Sequence, residues 1–238
     1  MLTLRPPSWR HPLGTTWQGR DVFSQVLHGA RPTLIVGLSA ALILAFLGVN
    51  VGLWSGYWGG WLDLLLMRLV DILYGLPFLP LMVVVMSLLS REQKYVILGL
   101  GLVAWRDVAR VVRARVLALR EEDFIKSARA MGAGHVRLVY LYLFPNLLPL
   151  ALLFLAFGLV WSILGHADLS FLGFGDPRHQ TWGDMVSAAW AAGVMSEAYW
   201  WYLPPSACIA AVSTGAFFLA RALEEIADPR RSRGGQFA

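Results

Sequence analysis

Apolar runs too long for a soluble core set the frame for this chain. Residues 34–54, 69–89, 147–165 and 203–220 are built mostly from Leu, Val, Ile, Ala and Phe. At about 1.5 Å of rise per residue, each reaches the roughly 30 Å of hydrocarbon that a bilayer presents. Hydrophobic residues make up 57% of the chain and charged residues 15%, against about 25% charged in a soluble domain. The fold class that follows is all-α, a polytopic membrane helical bundle.

A further span is harder to place. Only residues 95–105 are free of charge there, about 16 Å of helix. The helix must start at Arg91 or Glu92, or run on through Arg106 and Asp107. Helical spacing of Arg110, Arg113 and Arg120 predicts one long helix that leaves the membrane. In the second run, Pro77 and Pro80 predict a kink, and the carbonyls they free are candidates for lining a pathway. Asp71 reads as an acid at the helix end, paired locally with Arg68, which Asp63 also reaches. Residues 55–67, with Gly56, Gly59 and Gly60, read as a loop whose Tyr57, Trp58 and Trp61 mark an interface.

Charge excludes several classes of function. The net charge of +5 comes from clusters: eight basic residues lie between Arg106 and Arg137, and four more from Arg221 onward. Loops of that kind face the cytoplasm and are no nucleic-acid signature. The two lysines, Lys94 and Lys126, follow no glycine-rich loop, so no phosphate cradle is present. The five histidines have no metal spacing. Cys208 is the one cysteine and sits in an apolar run, where it reads as packing.

Residues 120–146 are the most polar stretch. Glu121, Glu122 and Asp123 open it, where a helix N-terminus favours negative charge. A short helix fits from Phe124 to Met131, with Ile125, Ala128, Met131 and Gly132 on one small face open to close approach by another protein. Lys126 and Arg129 project elsewhere. Gly132, Ala133 and Gly134 break it. A second helix then fits from His135 to Phe144, with Pro145 at the foot of the next apolar run.

Two other segments carry turn chemistry. Residues 1–32 are polar and irregular, with Pro6, Pro7 and the turn His11-Pro12-Leu13-Gly14-Thr15, and have no signal-peptide core. From Asp21 an amphipathic helix presents Val22, Val26 and Ala30 on one face. Residues 166–202 hold a Gly-rich, aromatic stretch, and residues 186–196 are apolar but too short to cross.

In order along the chain, these residues resemble one family: permease subunits of binding-protein-dependent ABC importers, with the type I fold. The likeness is greatest to the C-type subunits of the dipeptide, oligopeptide and nickel group. Ala128, Gly132 and Phe144-Pro145 resemble that family's "EAA" loop, with Lys126-Ser127 at its Glu-Ala position and Tyr142-Leu143-Phe144-Pro145 at its Ile-x-Leu-Pro position. His11, Pro12, Gly14, Thr15, Gly19, Arg20 and Asp21 fit the external segment, with Thr16 where Asp is usual. Arg68, Asp71, Pro77, Trp105, Arg110, Arg113 and Leu117 fit as well. So do Ser170, Phe171, Gly173, Gly175, Trp182 and Gly183, with His166 where an acid is usual, and finally Asp228-Pro229-Arg230.

The resemblance implies that Ile125, Lys126, Ser127, Ala128, Arg129, Ala130, Met131, Gly132, Ala133 and Gly134 form a coupling helix docked on an ATPase. It implies two such ATPases, which bind ATP-Mg, a second homologous permease and an extracytoplasmic solute-binding protein. No catalytic, cofactor or metal site is expected in this chain itself. The expected function is peptide translocation across the cytoplasmic membrane. A nickel importer of the same group and a non-transporting membrane scaffold stay open, and an ion channel lacks a ring of acids. Counting spans from the basic loop puts residues 1–32 outside, residues 33–227 in the membrane domain and residues 228–238 inside. Five spans are then visible, and the first of the family's six is missing.

Overall fold

The computed structural model describes residues 3–227, so the closing Asp228-Pro229-Arg230 motif lies outside the described residues. Among them are nine α-helices, one π-helical segment and an isolated antiparallel bridge between Thr15 and Asp21. The helices are α1 (Val22–Trp58), α2 (Gly60–Gly75), α3 (Phe78–Leu88), α4 (Gln93–Leu119) and α5 (Asp123–Ala130). They continue with α6 (His135–Arg137), α7 (Phe144–Phe171), α8 (Trp182–Ala191) and α9 (Tyr199–Ala227). Three continuous helices are long and apolar enough to cross a membrane: Val22–Trp58, His135–Phe171 and Tyr199–Ala222. The α2–α3 pair makes a fourth if taken as one broken span. The long α4 carries the basic residues that the sequence places on a helix leaving the membrane.

Two expected breaks are absent. Residues 1–32 and 33–54 were expected to part near Pro32, yet α1 runs through it. Proline removes one helical hydrogen bond. The carbonyl left without that bond is His28 O; the flanking backbone is pinned by Thr33 Oγ1, which donates to Gly29 O at 2.7 Å, and by Gln93 Nε2, which donates to Pro32 O at 3.0 Å. The expected loop at 55–67 shrinks to one residue. Gly59 and Gly60, at φ +64° and +56°, turn the chain directly from α1 into α2. Left-handed backbone of this kind suits glycine.

Two prolines act differently from a simple kink. Leu76, just before Pro77, is extended at φ −95°, ψ 122°, and separates α2 from α3. Proline disfavours helical backbone in its predecessor, so Pro77 breaks the helix. Pro80 falls in the first turn of α3, where its missing N–H leaves no bond unmade. Pro145, by contrast, does not interrupt the continuous span His135–Phe171. The π segment Leu138–Leu143 directly precedes it, with Phe144 N–H bonded to Val139 O. That wider turn accommodates the ring.

The chain divides into two compact units. The first comprises the chain to Ala40, Leu79–Leu100 and Leu159–Ala216. Its apolar core joins Val22 and Val26 of α1 to Trp182, Met185 and Ala189 of α8 and Trp201 of α9, with Leu4, Ala30 and Cys208 packed against it. The expected Val22/Val26/Ala30 face is thus a packing face. Cys208 is a packing residue, as its surroundings in the sequence suggested.

The second unit comprises Ala41–Phe78, Gly101–Gly158 and the chain from Phe217. Gly48, Gly52 and Gly56 form one stripe of α1 against α4. A Cβ on Gly52 would stand 2.7 Å from Ala109 O and Val112 Cβ, and one on Gly56 2.8 Å from Val116 Cβ. Small residues four apart let membrane helices approach this closely.

Polar groups bind α2 to α4 in the same unit. Asp63 meets Arg113 at 2.5 Å and also accepts from Ser55. Asp71 pairs with Arg110 at 2.7 Å and not with Arg68, which corrects the local pairing expected from spacing. Tyr74 donates to Asp107 and lies under the guanidinium groups of Arg106 and Arg110, at 4.8 and 4.2 Å. The carbonyl that Pro77 frees is Leu73 O, and Arg106 donates to it. That carbonyl is therefore bonded within the chain.

Candidate functional sites: a coupling helix and an external platform

In the second unit, α5 begins after Glu122 in extended conformation, with Asp123 in its first turn and Arg129 in its last. Both charges suit the helix dipole. The helix closes with Gly132 at φ +85°, where Gly132 N bonds Arg129 O and Ala133 N bonds Ala128 O, each at 3.0 Å. This reciprocal pair is a glycine C-cap. A Cβ on Gly132 would meet nothing within 4 Å. The glycine is there for its backbone angle.

One face of α5 is closed. Ile125 and Ala128 are fully buried within this chain, while Met131 and Gly132, expected on the same small face, are exposed. Phe124, Lys126, Ser127, Arg129, Ala130, Met131, Gly132 and Gly134 are exposed, and Ala133 is half-buried. Met131 is 79% exposed and Val136 63%. A partner meeting α5 touches this mixed apolar and basic surface.

The turn after α5 is tied to the end of α1. Tyr57 Oη lies 2.7 Å from His135 Nδ1, and the Trp58 and His135 rings are 4.7 Å apart. Arg129 stands over the Tyr57 ring at 5.9 Å, and Arg120 donates to Gly56 O at 3.0 Å. Sequence reasoning missed His135 as an anchor because Tyr57 is far away along the chain. The Gly48/Gly52/Gly56 repeat was visible in the sequence and was also missed.

In the first unit, the N-terminal segment is a hook. His11 Nδ1 lies 2.9 Å from Asp21 Oδ1, and Asp21 Oδ2 caps α1 by accepting from Ser24 N at 2.8 Å. Thr15 is fully buried; its Oγ1 accepts from Arg5 N at 2.9 Å, while its carbonyl accepts from Trp200 Nε1 at 3.3 Å. Gly14 is at φ +70°, and a Cβ there would fall 2.6 Å from Arg5 O and from the Trp200 ring. Gly19, at φ +76°, turns the hook toward exposed Arg20, and Pro12 is exposed.

The second half of the platform is α8. Thr181 and Asp184 form a reciprocal capping box. Trp182 donates its ring N–H to Val26 O at 2.8 Å and its backbone N–H to Thr33 Oγ1 at 3.0 Å. Gly183 lets α8 lie against Ala167, 2.7 Å from where its Cβ would stand. Ser170 is buried, with its carbonyl held by Ser187 at 3.0 Å. Phe171 is exposed at the end of α7, Gly173 turns the chain at φ +81°, and Gly175 packs on Asp184. The structure thus joins His11, Gly14, Thr15 and Asp21 in one hook, and Trp182 and Gly183 in its support.

Asp176 locks the loop before α8 and was not singled out from sequence. It is 4% exposed and accepts from Gln93 N at 3.1 Å, from Arg178 N at 2.9 Å and Nε at 3.3 Å, with His179 Nδ1 at 3.2 Å. Burial alone would raise its pKa. The backbone N–H groups of Arg178 and Gln93, then the two side chains, outweigh burial and hold the carboxyl far below the usual range.

With this geometry in place, comparison with known proteins is informative. Residues 48–233 match the family model described as "Binding-protein-dependent transport system inner membrane component". A putative peptide permease protein of Brucella suis biovar 1 is 32% identical over 225 residues, 94% of this chain and 74% of that protein. A putative peptide transport system permease protein of Brucella melitensis biotype 1 is 34% identical over 235 residues, 98% of this chain and 78% of that protein. The dipeptide transport system permease protein DppC of Bacillus subtilis is 33% identical over 230 residues, 96% of this chain and 71% of that protein. A chain of the inward-facing MetNI methionine ABC transporter superposes with a TM-score of 0.64 at 19% identity, covering 84% of this chain and 96% of that one. That last likeness is one of fold.

Proposed function

The chain belongs to the family of binding-protein-dependent transport system inner membrane components, and from that premise we propose that it moves peptides across the cytoplasmic membrane as one permease of an ABC importer. The observation that carries the substrate class is the match of nearly the whole chain to relatives named peptide or dipeptide permeases. A second, homologous permease completes the pathway. Two ATPase subunits bind and hydrolyse ATP, and an extracytoplasmic binding protein delivers the solute.

The geometry supports a coupling role for α5. Its buried Ile125 and Ala128 seat it in its own unit, while Phe124, Lys126, Arg129 and Met131 face out. A load applied to that outer face reaches the end of α1 through His135 and Tyr57. Alternating access then needs only that the ATPase fit one of two arrangements better than the other. Expression with the ATPases and the second permease, followed by ATP turnover in proteoliposomes, tests the reading. Turnover should rise with a dipeptide-loaded binding protein. Turnover unmoved by peptide but raised by nickel, or unmoved by either, would overturn it.

A further inference from the structure

A cationic cleft in the first unit has no part in the reading above. Its volume is about 780 Å³, and its lining includes Arg20, Arg31, Arg178, His28, Gln180 and Ile35. Three guanidinium groups face one lining carboxylate, Asp21. That carboxylate is already engaged by His11 at 2.9 Å and by Ser24 N at 2.8 Å. Arg178 shares its charge with Asp176 at 3.3 Å and Glu92 at 3.8 Å. Among the described residues, Arg20 and Arg31 have no ion pair. The cleft is therefore under-neutralised and suits a phosphate or carboxylate.

Its position narrows the choice. Arg31 is the last charged residue before residues 32–62, which contain none. Ile35, in the cleft lining, is 43% exposed, and Leu38, one turn further along the same face of α1, is 49% exposed. Cationic groups thus stand beside an open apolar helix face, where the charge-free run of the chain begins. A soluble anion or an acidic protein loop uses the arginines and leaves Ile35 and Leu38 uncovered. An amphiphile covers both. We propose that this cleft binds an anionic membrane lipid, its phosphate held by Arg20, Arg31 and Arg178 and an acyl chain laid along Ile35 and Leu38. The proposal rests on the chain being a membrane protein and is independent of what it transports.

The test is lipid retention by the full chain, extracted with its accompanying subunits and read by native mass spectrometry. The complex is first equilibrated in phosphatidylcholine vesicles with or without phosphatidylglycerol. Wild type should retain phosphatidylglycerol in preference to phosphatidylcholine. Arg20→Gln with Arg31→Gln should weaken that retention about thirty-fold, from about 1 kcal/mol per arginine near an anionic surface. Both side chains are exposed, so phosphatidylcholine retention should stay unchanged and report an intact fold. Inorganic phosphate at millimolar concentration should not strip the lipid. Equal phosphatidylglycerol retention in wild type and variant overturns the proposal. So does displacement by phosphate alone, which would make the cleft a site for free anions. Loss of affinity for a binding protein with lipid retention unchanged would reassign the cleft to an acidic protein partner.

Discussion

Gly132 and Asp176 each hold a turn, one by backbone angle and the other by hydrogen bonds. At φ +85°, a residue with a Cβ costs roughly 1–2 kcal/mol at position 132. Gly132→Leu should abolish transport and weaken ATPase co-purification while leaving membrane insertion intact. Gly132→Asn separates the causes, because asparagine tolerates this angle. Docking retained by Asn and lost by Leu would mean that the backbone angle decides, because the two side chains are similar in size, whereas loss by both would point to bulk at the partner surface. Docking retained by both would refute a role for this turn. Asp176 carries a pH prediction. Its carboxyl is held far below the usual range, so the stabilisation it gives is complete above the unfolded value of about 4 and fades only as pH falls toward the folded value. Asp176→Asn should therefore speed amide exchange at Gln93 by a similar factor from about pH 5 to pH 8, with a cost of about 2–3 kcal/mol. The difference from wild type should shrink below about pH 4.

At the scale of elements, α1 meets α4 through glycine, and α4 meets α2 through charge. Gly52→Ala places a methyl 2.7 Å from Ala109 O and should cost about 1–3 kcal/mol by overpacking. Gly52→Leu should prevent assembly, read as loss of the monodisperse complex on size exclusion; an unchanged profile would argue that the helices tolerate separation. The Asp63–Arg113 pair is half-buried, at side-chain exposures of 16% and 30%. Arg113→Gln leaves an acid without its partner, a change that should cost less than the roughly 3–5 kcal/mol of a fully buried pair because solvent screens this one. Arg113→Gln with Asp63→Asn should recover much of that loss, measured as thermal stability in detergent. Failure of the second substitution to help would show that the arginine acts elsewhere.

For the molecule as a whole, the prediction concerns sides. Basic residues cluster in residues 106–137, and such loops stay in the cytoplasm. The continuous helix His135–Phe171 is long enough to cross from there. The loop that follows should then lie outside. Ser170 is buried and a poor reporter, whereas Leu172 is 50% exposed. With Cys208 replaced by Ala, Leu172→Cys should react with an impermeant maleimide added from outside. Reaction from the cytoplasmic side alone would invert the assignment.

Properties carried by neighbouring residues were legible in the sequence. Apolar runs announced a membrane bundle, a glycine after Met131 announced the end of α5, and arginine spacing announced one long α4. Each depends on composition or helical periodicity within a few turns. The breaks were misjudged in two ways: distant Gln93 anchors Pro32 O, and a local π turn makes room for Pro145. Partner choice was likewise beyond local reasoning. Asp71 had Arg68 close by in sequence, yet it pairs with Arg110 across to α4. Of the expected docking face, the fold buries Ile125 and Ala128 and leaves Met131 exposed. Helical period tells which residues share a face. Which partner that face meets is decided only when distant segments pack, because burial and ion pairing are properties of the neighbours a side chain acquires.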